Sequence, residues 1–208
     1  MIMRKAEIKD YVEGAELIYM TAPYFYRYLF ASDEKRVKKV LELLFTKPNN
    51  LFSYQNAWIL EENDKIVGLA LAISSSMKKY LRKSIIYYKE IIKINGFIKF
   101  IKMFMCRRKL KKIFTPLSDD EFYIISLAVI PEYRNKGYGK RLLKIVEREA
   151  KKQGFSKISV DVELTNFHAH NMYLKMGYKD ICELKDRKNE KKSGIIGFVK
   201  MRKDLNVT

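Results

Sequence analysis

The sequence predicts an α/β fold of the mixed (α+β) kind, with one central mixed β-sheet of about six to seven strands and helices on its faces. Strand-like and helix-like segments alternate in the order β-α-α-β-β-insert-β-α-β-α-β-β, which is typical of this class. The 208 residues, of which 48% are hydrophobic and 13% aromatic, can bury one sizeable core but hardly two. A basic helical segment at 77–113 interrupts the strand rhythm. We therefore expect a single domain over residues 1–208.

The first elements are a short strand and two helical segments. The stretch MRKAEI has the composition of a strand, and the segment at 10–30 is helical in pattern up to about Met20, where Pro23 interrupts it. Residues 32–48 form a clearer helix, which Ser32 or Asp33 can cap. Its apolar stripe consists of Val37, Val40, Leu41 and Leu44. We expect this stripe to pack on the sheet.

A β-hairpin and the basic segment follow. Residues 53–62 and 65–74 read as strands joined by the turn ENDK. Residues 77–113 have a long helical pattern that breaks at Asn95-Gly96. This segment holds thirteen Lys and Arg against one acid, Glu90, and therefore carries +12 of the total charge of +18.

The C-terminal part supplies the remaining strands. Residues 121–129 form a mostly apolar run that suits a central strand. The next helix has Leu142, Leu143, Val146 and Ala150 on its apolar side and ends near Gly154. The last elements are a strand at 157–163, a short helix at 166–176 closed by Gly177, and a strand pair at 178–185 and 194–203.

Cysteine usage and hydropathy set the expected compartment. Cys106 and Cys182 lie far apart in sequence without metal-ligand spacing, so we expect reduced cysteines and no metal site. The N-terminal residues lack the apolar region of a signal peptide, and no apolar run approaches the length of a membrane span. We expect a cytoplasmic protein whose charge favours anionic partners.

The stretch VIPEYRNKGYGKRLL contains the most informative pattern. Gly137 and Gly139 lie between an apolar strand and an amphipathic helix, where free N–H groups and the positive end of the helix dipole converge. Small residues here let an anion approach the backbone. The dinucleotide fingerprint is excluded because Leu142 replaces its third glycine, and the P-loop pattern is incomplete.

Two motifs together resemble the GNAT superfamily of N-acetyltransferases. The family pattern Q/R-x-x-G-x-G/A is matched by Arg134, Gly137 and Gly139. About 30 residues later, the pattern N-x-x-A-x-x-x-Y-x-x-x-G-F/Y is matched by Asn166, Ala169, Tyr173, Gly177 and Tyr178. The resemblance covers residues 121–184 well. It implies a GNAT-like sheet in which 77–113 is an insertion between the third and fourth strands.

The resemblance also implies a binding mode for acetyl-CoA as the acetyl donor. The backbone of Leu127, Ala128 and Val129 would pair with the pantetheine arm, where family members splay two strands apart. The N–H of Val129 would polarise the thioester carbonyl. Asn166 would contact the pantetheine. The pyrophosphate would be held by the N–H groups of the loop formed by Arg134, Asn135, Lys136, Gly137, Tyr138, Gly139 and Lys140.

The same resemblance implies the catalytic roles. Tyr173 stands where the family places the general acid that protonates the departing thiolate. Several members use a glutamate as base on the strand before the loop, but Tyr123 occupies that position here. Glu121 lies two residues earlier on the same strand face and is our first candidate for the base. Asp161 and Glu163 on the next strand are the alternatives.

These implications predict an acetyl-CoA-dependent N-acetyltransferase that modifies a primary amine of a small molecule or peptide. No cysteine lies in the motifs to carry an acetyl group, which favours direct attack in a ternary complex. The alternative is a non-catalytic acyl-CoA-binding module that docks on a membrane surface or nucleic acid through its insertion.

Three roles stand open for the insertion at 77–113. Its apolar side chains could fold over the acceptor site as a lid that excludes water. Its lysines and aromatics also suit an anionic membrane or nucleic acid, and a face of a homodimer is the third reading. A basic lid disfavours polyamines and aminoglycosides as acceptors.

Overall fold

A computed structural model describes residues 1–76, 88–110, 116–185 and 194–205. Its strands are β1 (Ile2–Lys5), β2 (Ala57–Glu62), β3 (Lys65–Ser74), β4 (Glu121–Val129), β5 (Lys157–Glu163), β6 (Lys179–Lys185) and β7 (Gly197–Asp204). They form one mixed sheet of seven strands in the order β1-β2-β3-β4-β5-β7-β6. The predicted fold class is confirmed.

Helices cover both faces of this sheet. In the described part of the chain they are α1 (Tyr11–Thr21), α2 (Pro23–Phe30), α3 (Glu34–Thr46), α4 (Tyr88–Asn95), α5 (Phe97–Leu110), α6 (Tyr138–Lys152) and α7 (Phe167–Lys175). One layer of the core lies under α1 to α3, where the predicted stripe of α3 packs with Leu69 and Leu71 of β3. The other lies under α6 and α7, where Leu142 and Val146 pack with Val67 and Ala70.

Local chemistry explains where these elements begin and end. Pro23 interrupts the helical pattern and also starts α2. Proline is tolerated there because the N–H groups in the first turn of a helix have no acceptor within the helix. The Asp33 side chain caps α3 by accepting from the N–H of Arg36 at 3.1 Å. Asn63 and Asp64 both have positive φ in the predicted β2–β3 turn, as a tight hairpin turn requires. β1 is shorter than predicted because a 3-10 turn at Ile8–Asp10 follows it.

The described part of the insertion lies between β3 and β4. The predicted break falls at Gly96, whose φ of 78° separates α4 from α5. Tyr88, Phe100 and Phe104 pack edge to face around this corner, with ring centroids 5.1 to 5.3 Å apart. Residues 77–87 and 111–113 of the segment lie outside the described residues. None of the described helices is both long and apolar enough to cross a bilayer.

The pairing of β4 with β5 is short. These parallel strands pair only from Glu121 to Ile124 of β4, opposite Lys157 to Val160 of β5. Just beyond, Ile125 forms a bulge, since Ile124 and Ser126 face adjacent residues of β3. The two strands diverge from this point, so a gap opens in the middle of the sheet towards the C-terminal end of β4.

A buried ionic cluster ties the closed end of this gap together. The Glu121 carboxylate accepts from the Ser159 hydroxyl of β5 and from the N–H of Ser118 at 2.9 Å. The Lys200 ammonium of β7 lies 3.0 Å from the same carboxylate. Burial opposes ionisation of Glu121, but the hydrogen bonds and the ammonium outweigh it and lower the pKa.

We predict that Glu121→Gln destabilises the fold, because it removes the carboxylate charge that pairs with the buried Lys200 ammonium. The expected loss is about 3 kcal/mol in the free energy of unfolding at pH 7, measured by urea titration. The difference in unfolding free energy between the variant and the wild type should shrink as pH falls below 4.5, the ordinary pKa of a glutamate, and then through the lowered pKa of Glu121 in the folded protein. At still lower pH, Glu121 is protonated in both the folded and the unfolded wild type.

The matched control is the double variant Glu121→Gln/Lys200→Met, which removes both charges. It should lose less stability than the two single variants together. Unchanged stability of Glu121→Gln at pH 7 would contradict a structural role for this cluster.

Candidate active site

The loop between β4 and α6 presents free backbone donors. Within the described residues, the N–H groups of positions 135–140 have no hydrogen-bond acceptor, and the first helical bond runs from Arg141 N–H to the Gly137 carbonyl at 3.1 Å. Asn135 and Gly137 turn the chain with φ of 63° and 80°. The donors therefore converge at the positive end of the 15-residue helix α6, which is the arrangement that binds phosphate groups.

The glycines of this loop have different structural reasons. Gly137 needs its freedom for a positive φ, and a Cβ there would meet nothing within 4 Å. A Cβ on Gly139 would lie 3.2 Å from Met172 Sδ, so this glycine also lets α6 approach α7 closely. The second glycine of the motif thus brings this loop close to the helix that carries Tyr173.

The predicted charged and polar loop residues divide into two groups. Arg134, Lys136 and Lys140 are exposed and surround the loop with positive charge. The Arg134 Nε donates to the Val129 carbonyl at 3.1 Å, which holds its guanidinium beside the end of β4. Tyr138 instead turns its ring inward and donates to Glu62 at 2.5 Å, so only its N–H faces the loop site.

The end of β4 offers backbone groups to the gap. Ile130 N–H donates to the Val67 carbonyl at 3.0 Å, and hydrogen-bonded pairs alternate along an antiparallel ladder. Ala128 therefore directs its N–H and carbonyl at β3. Leu127 and Val129 direct theirs at the side where β5 has diverged. Of the three residues predicted to contact pantetheine, Leu127 and Val129 thus face the gap with their N–H groups, and Ala128 faces β3.

A cavity of about 490 Å³ lies beside the gap. Its walls are mostly apolar and come from α2, β3, α5 and β7, including Phe25, Leu29, Ile73, Leu110 and Phe198. Its polar lining consists of Thr21, Tyr26, Ser75, Arg107, Tyr123, Ser126, Asp161, Glu163, Asn166 and Tyr173. Such a site suits a ligand with an apolar body and a few polar atoms in fixed positions.

Tyr173 of α7 lies on the cavity wall and is only 3% exposed. Its ring packs edge to face against Tyr178 with centroids 5.2 Å apart. Burial raises the pKa of Tyr173 well above its usual value, so the phenol stays protonated at neutral pH. Asn166 caps the same helix, because its Oδ1 accepts from the N–H of Ala169 at 3.1 Å. Its amide nitrogen and the second lone pair of Oδ1 are left for a ligand.

The candidate carboxylates of β4 and β5 differ in their position relative to the cavity. Glu121, our first candidate for the base, is not among the described residues that line the cavity, and its carboxylate is occupied by the ionic cluster. Asp161 accepts from the Tyr123 hydroxyl at 2.8 Å. Glu163 lines the cavity with a buried Oε1 that has no hydrogen-bond partner in the described part of the chain. Burial raises its pKa.

A hydroxyl cluster on the cavity wall was missed by sequence reasoning. The Tyr26 and Ser126 hydroxyl oxygens lie 2.9 Å apart, and Thr21 Oγ1 lies 3.3 Å from Ser126 Oγ. The available signal was Ser126 itself, a hydroxyl inside an otherwise apolar strand that needs a buried partner. Among the residues described, no group of His, Cys, Asp and Glu is arranged to hold a metal ion.

Comparison with known proteins supports the same fold and family. The model of the acetyltransferase (GNAT) family matches residues 20–178, which is more than half of the chain. A solved acetyltransferase is 20% identical with a TM-score of 0.70, and the match covers 99% of this chain and 100% of that chain. An N-acetyltransferase from Staphylococcus aureus Mu50 is 19% identical with a TM-score of 0.69, covering 98% and 100%.

A third solved structure contains coenzyme A. It is N-acetylglutamate synthase from Neisseria gonorrhoeae with coenzyme A and N-acetyl-glutamate. It is 16% identical with a TM-score of 0.55, and the match covers 99% of this chain and 35% of that chain. No curated protein shows significant sequence similarity to this chain. At these identities the solved structures support the shared fold alone.

We predict that Gly137→Ala weakens binding of coenzyme A about tenfold or more, because the added Cβ strains the φ of 80° and disturbs the converging N–H groups. Isothermal titration calorimetry measures the affinity, and thermal unfolding measures the stability.

The matched control is Gly154→Ala. Gly154 has a φ of 82° and open space at its Cβ position, but it lies beyond the opposite end of α6. It should lose a similar amount of stability and keep its affinity for coenzyme A. Equal affinities of both variants would contradict the anion role of the loop.

Proposed function

Since this chain belongs to the GNAT family of acetyltransferases, we propose that it is an acetyl-CoA-dependent N-acetyltransferase that modifies a primary amine. The amine attacks directly in a ternary complex. The observation that carries this proposal is one continuous arrangement. The gap between β4 and β5 connects the free N–H groups of positions 135–140 with a cavity that contains Tyr173 and Glu163.

The residues present fit the acetyl donor. Acetyl-CoA would supply an activated thioester. The N–H groups of positions 135–140 would hold its pyrophosphate, with Arg134, Lys136 and Lys140 adding charge. The edge of β4 at Leu127 and Val129 would hold the pantetheine as an added strand, in the gap that β5 leaves. The Val129 N–H would stabilise negative charge on the thioester oxygen.

Glu163 is a better candidate for the base than Glu121. It lines the cavity, whereas the Glu121 carboxylate is already paired with Lys200. The acceptor amine enters as an ammonium ion, and a nearby carboxylate attracts it. In the same apolar surroundings burial raises the pKa of Glu163 and lowers that of the ammonium, so transfer of one proton from nitrogen to Glu163 becomes less unfavourable.

Tyr173 holds the proton that the departing sulfur needs. A phenol whose pKa is raised by burial is a weak acid, but it is protonated at any pH at which the amine can react. Its function is to place an O–H donor in a dry site, where the developing thiolate has few other donors. This role is compatible with a rate contribution of about a hundredfold, at the low end of what general acid catalysis provides.

The cavity supports an acceptor in which the amine is attached to an apolar body. Aromatic and aliphatic side chains from α2, β3 and β7 form most of the wall. Arg107 and Leu110 of α5 also line it, which agrees with a lid role for the insertion. Arg107 further disfavours acceptors with several cationic groups.

The test of the proposal is release of the coenzyme A thiol from acetyl-CoA with a panel of amines. The panel compares arylalkylamines, alkylamines, peptides with apolar N-termini and polyamines. We expect turnover with amines on apolar bodies and little with polyamines. Tight binding of acetyl-CoA without thiol release for any amine would overturn the catalytic reading in favour of a non-catalytic acyl-CoA-binding module.

We predict that Tyr173→Phe lowers kcat about a hundredfold and leaves KM for acetyl-CoA nearly unchanged, because only proton transfer is lost. The control is Tyr178→Phe, which removes a neighbouring buried hydroxyl from a ring that is not among the described cavity residues. It should keep kcat. Similar kcat values for both variants would show that Tyr173 is a packing residue.

We predict that Glu163→Gln removes the ionisation of lowest pKa from the pH profile of kcat/KM. In the wild type the rate should rise as pH increases through the raised pKa of Glu163, because the base must be ionised to accept a proton. Glu121→Gln serves as the comparison, measured where it remains folded, and should keep this ionisation. If Glu121→Gln lost this ionisation and Glu163→Gln kept it, Glu121 would be the general base.

A further inference from the structure

Helix α5 has an exposed apolar stripe that the proposed reaction does not use. Ile98, Phe97 and Met105 are 71%, 65% and 58% exposed. With the exposed Ile101 and Phe104, they occupy one side of the helix at about 100° per residue. An exposed apolar patch of this kind, rimmed by polar residues, marks an interaction site.

The opposite side of α5 is packed on the protein. Met103 and Leu110 are buried, and Phe100 packs against Tyr88 of α4. Lys99 Nζ lies 3.3 Å from the Asp33 carboxylate at the start of α3. The helix is therefore held to the domain by one side, and its apolar stripe faces outward.

Basic residues flank the stripe. At helical spacing, Lys102 and Lys109 lie along one edge and Arg107 along the other, while Arg108 extends the stripe at its C-terminal end. All four are exposed. Helix α5 contains no acidic residue. Long basic side chains beside an apolar stripe can reach headgroup phosphates while the stripe enters the acyl region.

The charge and the side-chain types of the α5 surface distinguish three possible partners: a second copy of the chain, a nucleic acid and an anionic lipid surface. A second copy placed face to face would bring the same cations together, which opposes a symmetric dimer through this stripe. A nucleic acid would satisfy the cations, but it offers no partner for Ile98, Ile101 and Met105. An anionic lipid surface satisfies both the basic edges and the aliphatic stripe.

We propose that α5 is a membrane-surface helix that docks the enzyme on anionic lipid. The helix has 14 residues and is about 21 Å long, and it would lie in the plane of the interface. Arg107 and Leu110 also line the cavity, so docking brings the acceptor cavity close to the lipid surface. This role is independent of the reaction and could hold even if the acceptor assignment failed.

The test is flotation of the full chain with vesicles of phosphatidylcholine, with and without phosphatidylglycerol. We expect binding only when phosphatidylglycerol is present, with affinity that falls as salt increases. Ile98→Ser/Ile101→Ser should weaken binding about tenfold or more by removing apolar contact. Lys102→Gln/Lys109→Gln should weaken it by a similar factor.

Two matched variants control for general effects. Ile8→Ser/Val12→Ser removes exposed apolar side chains near the start of α1, and Lys151→Gln/Lys152→Gln removes the same charge from the end of α6. Both should bind vesicles like the wild type, and coenzyme A affinity should be unchanged in all four variants.

Several outcomes overturn the proposal. Equal weakening by Lys151→Gln/Lys152→Gln would mean that net charge alone causes binding. Failure to bind phosphatidylglycerol vesicles, together with tight binding of a homopolymeric RNA, would assign the surface to nucleic acid. A dimer in analytical ultracentrifugation that dissociates in Ile98→Ser/Ile101→Ser would assign the stripe to a second copy of the chain.

Discussion

The separation of β4 from β5 beyond Ile124 and Val160 is the constraint on which the rest of the site depends. A strand in the interior of a sheet normally forms hydrogen bonds through its N–H and carbonyl groups to a neighbouring strand on each side. Here the bulge at Ile125 and the divergence of β5 turn the backbone groups of Leu127 and the N–H of Val129 towards the gap, while the Val129 carbonyl accepts from Arg134. In the proposed function, the same divergence joins the loop at 135–140, as the pyrophosphate site, to the cavity, as the acceptor site. The buried cluster around Glu121 keeps the strands together immediately below the gap.

Much of the fold follows from local sequence signals. The β2–β3 hairpin, the break at Gly96 and the buried stripes of α3 and α6 each rest on short-range chemistry and are confirmed. The position of the gap is implied only by the family resemblance at Leu127 to Val129, because neither the bulge nor the point of divergence has a local signal in the sequence. This is why the sequence alone favours Glu121 over Glu163 as the general base. Glu121 and Glu163 both lie on predicted strands, but Glu121 lies at the closed end of the strand pair and Glu163 at the open end.

The basic insertion combines two kinds of surface on one element. Its inner side extends the cavity wall through Arg107 and Leu110, which agrees with the predicted lid. Its outer side carries apolar residues and charge that the lid reading does not explain. The sequence contained both sets of residues, but the pattern alone could not tell which apolar residues are buried. Tertiary packing of Met103 and Leu110 makes that distinction.

A crystal structure with acetyl-CoA would test the central claim most directly. The account predicts phosphate oxygens within hydrogen-bond distance of the N–H groups of positions 135–140 and a pantetheine arm paired with Leu127 and Val129. It also predicts that the sulfur faces Tyr173 and that the acetyl group opens onto Glu163. A pantetheine arm that lies outside the gap, or phosphates bound away from this loop, would contradict it.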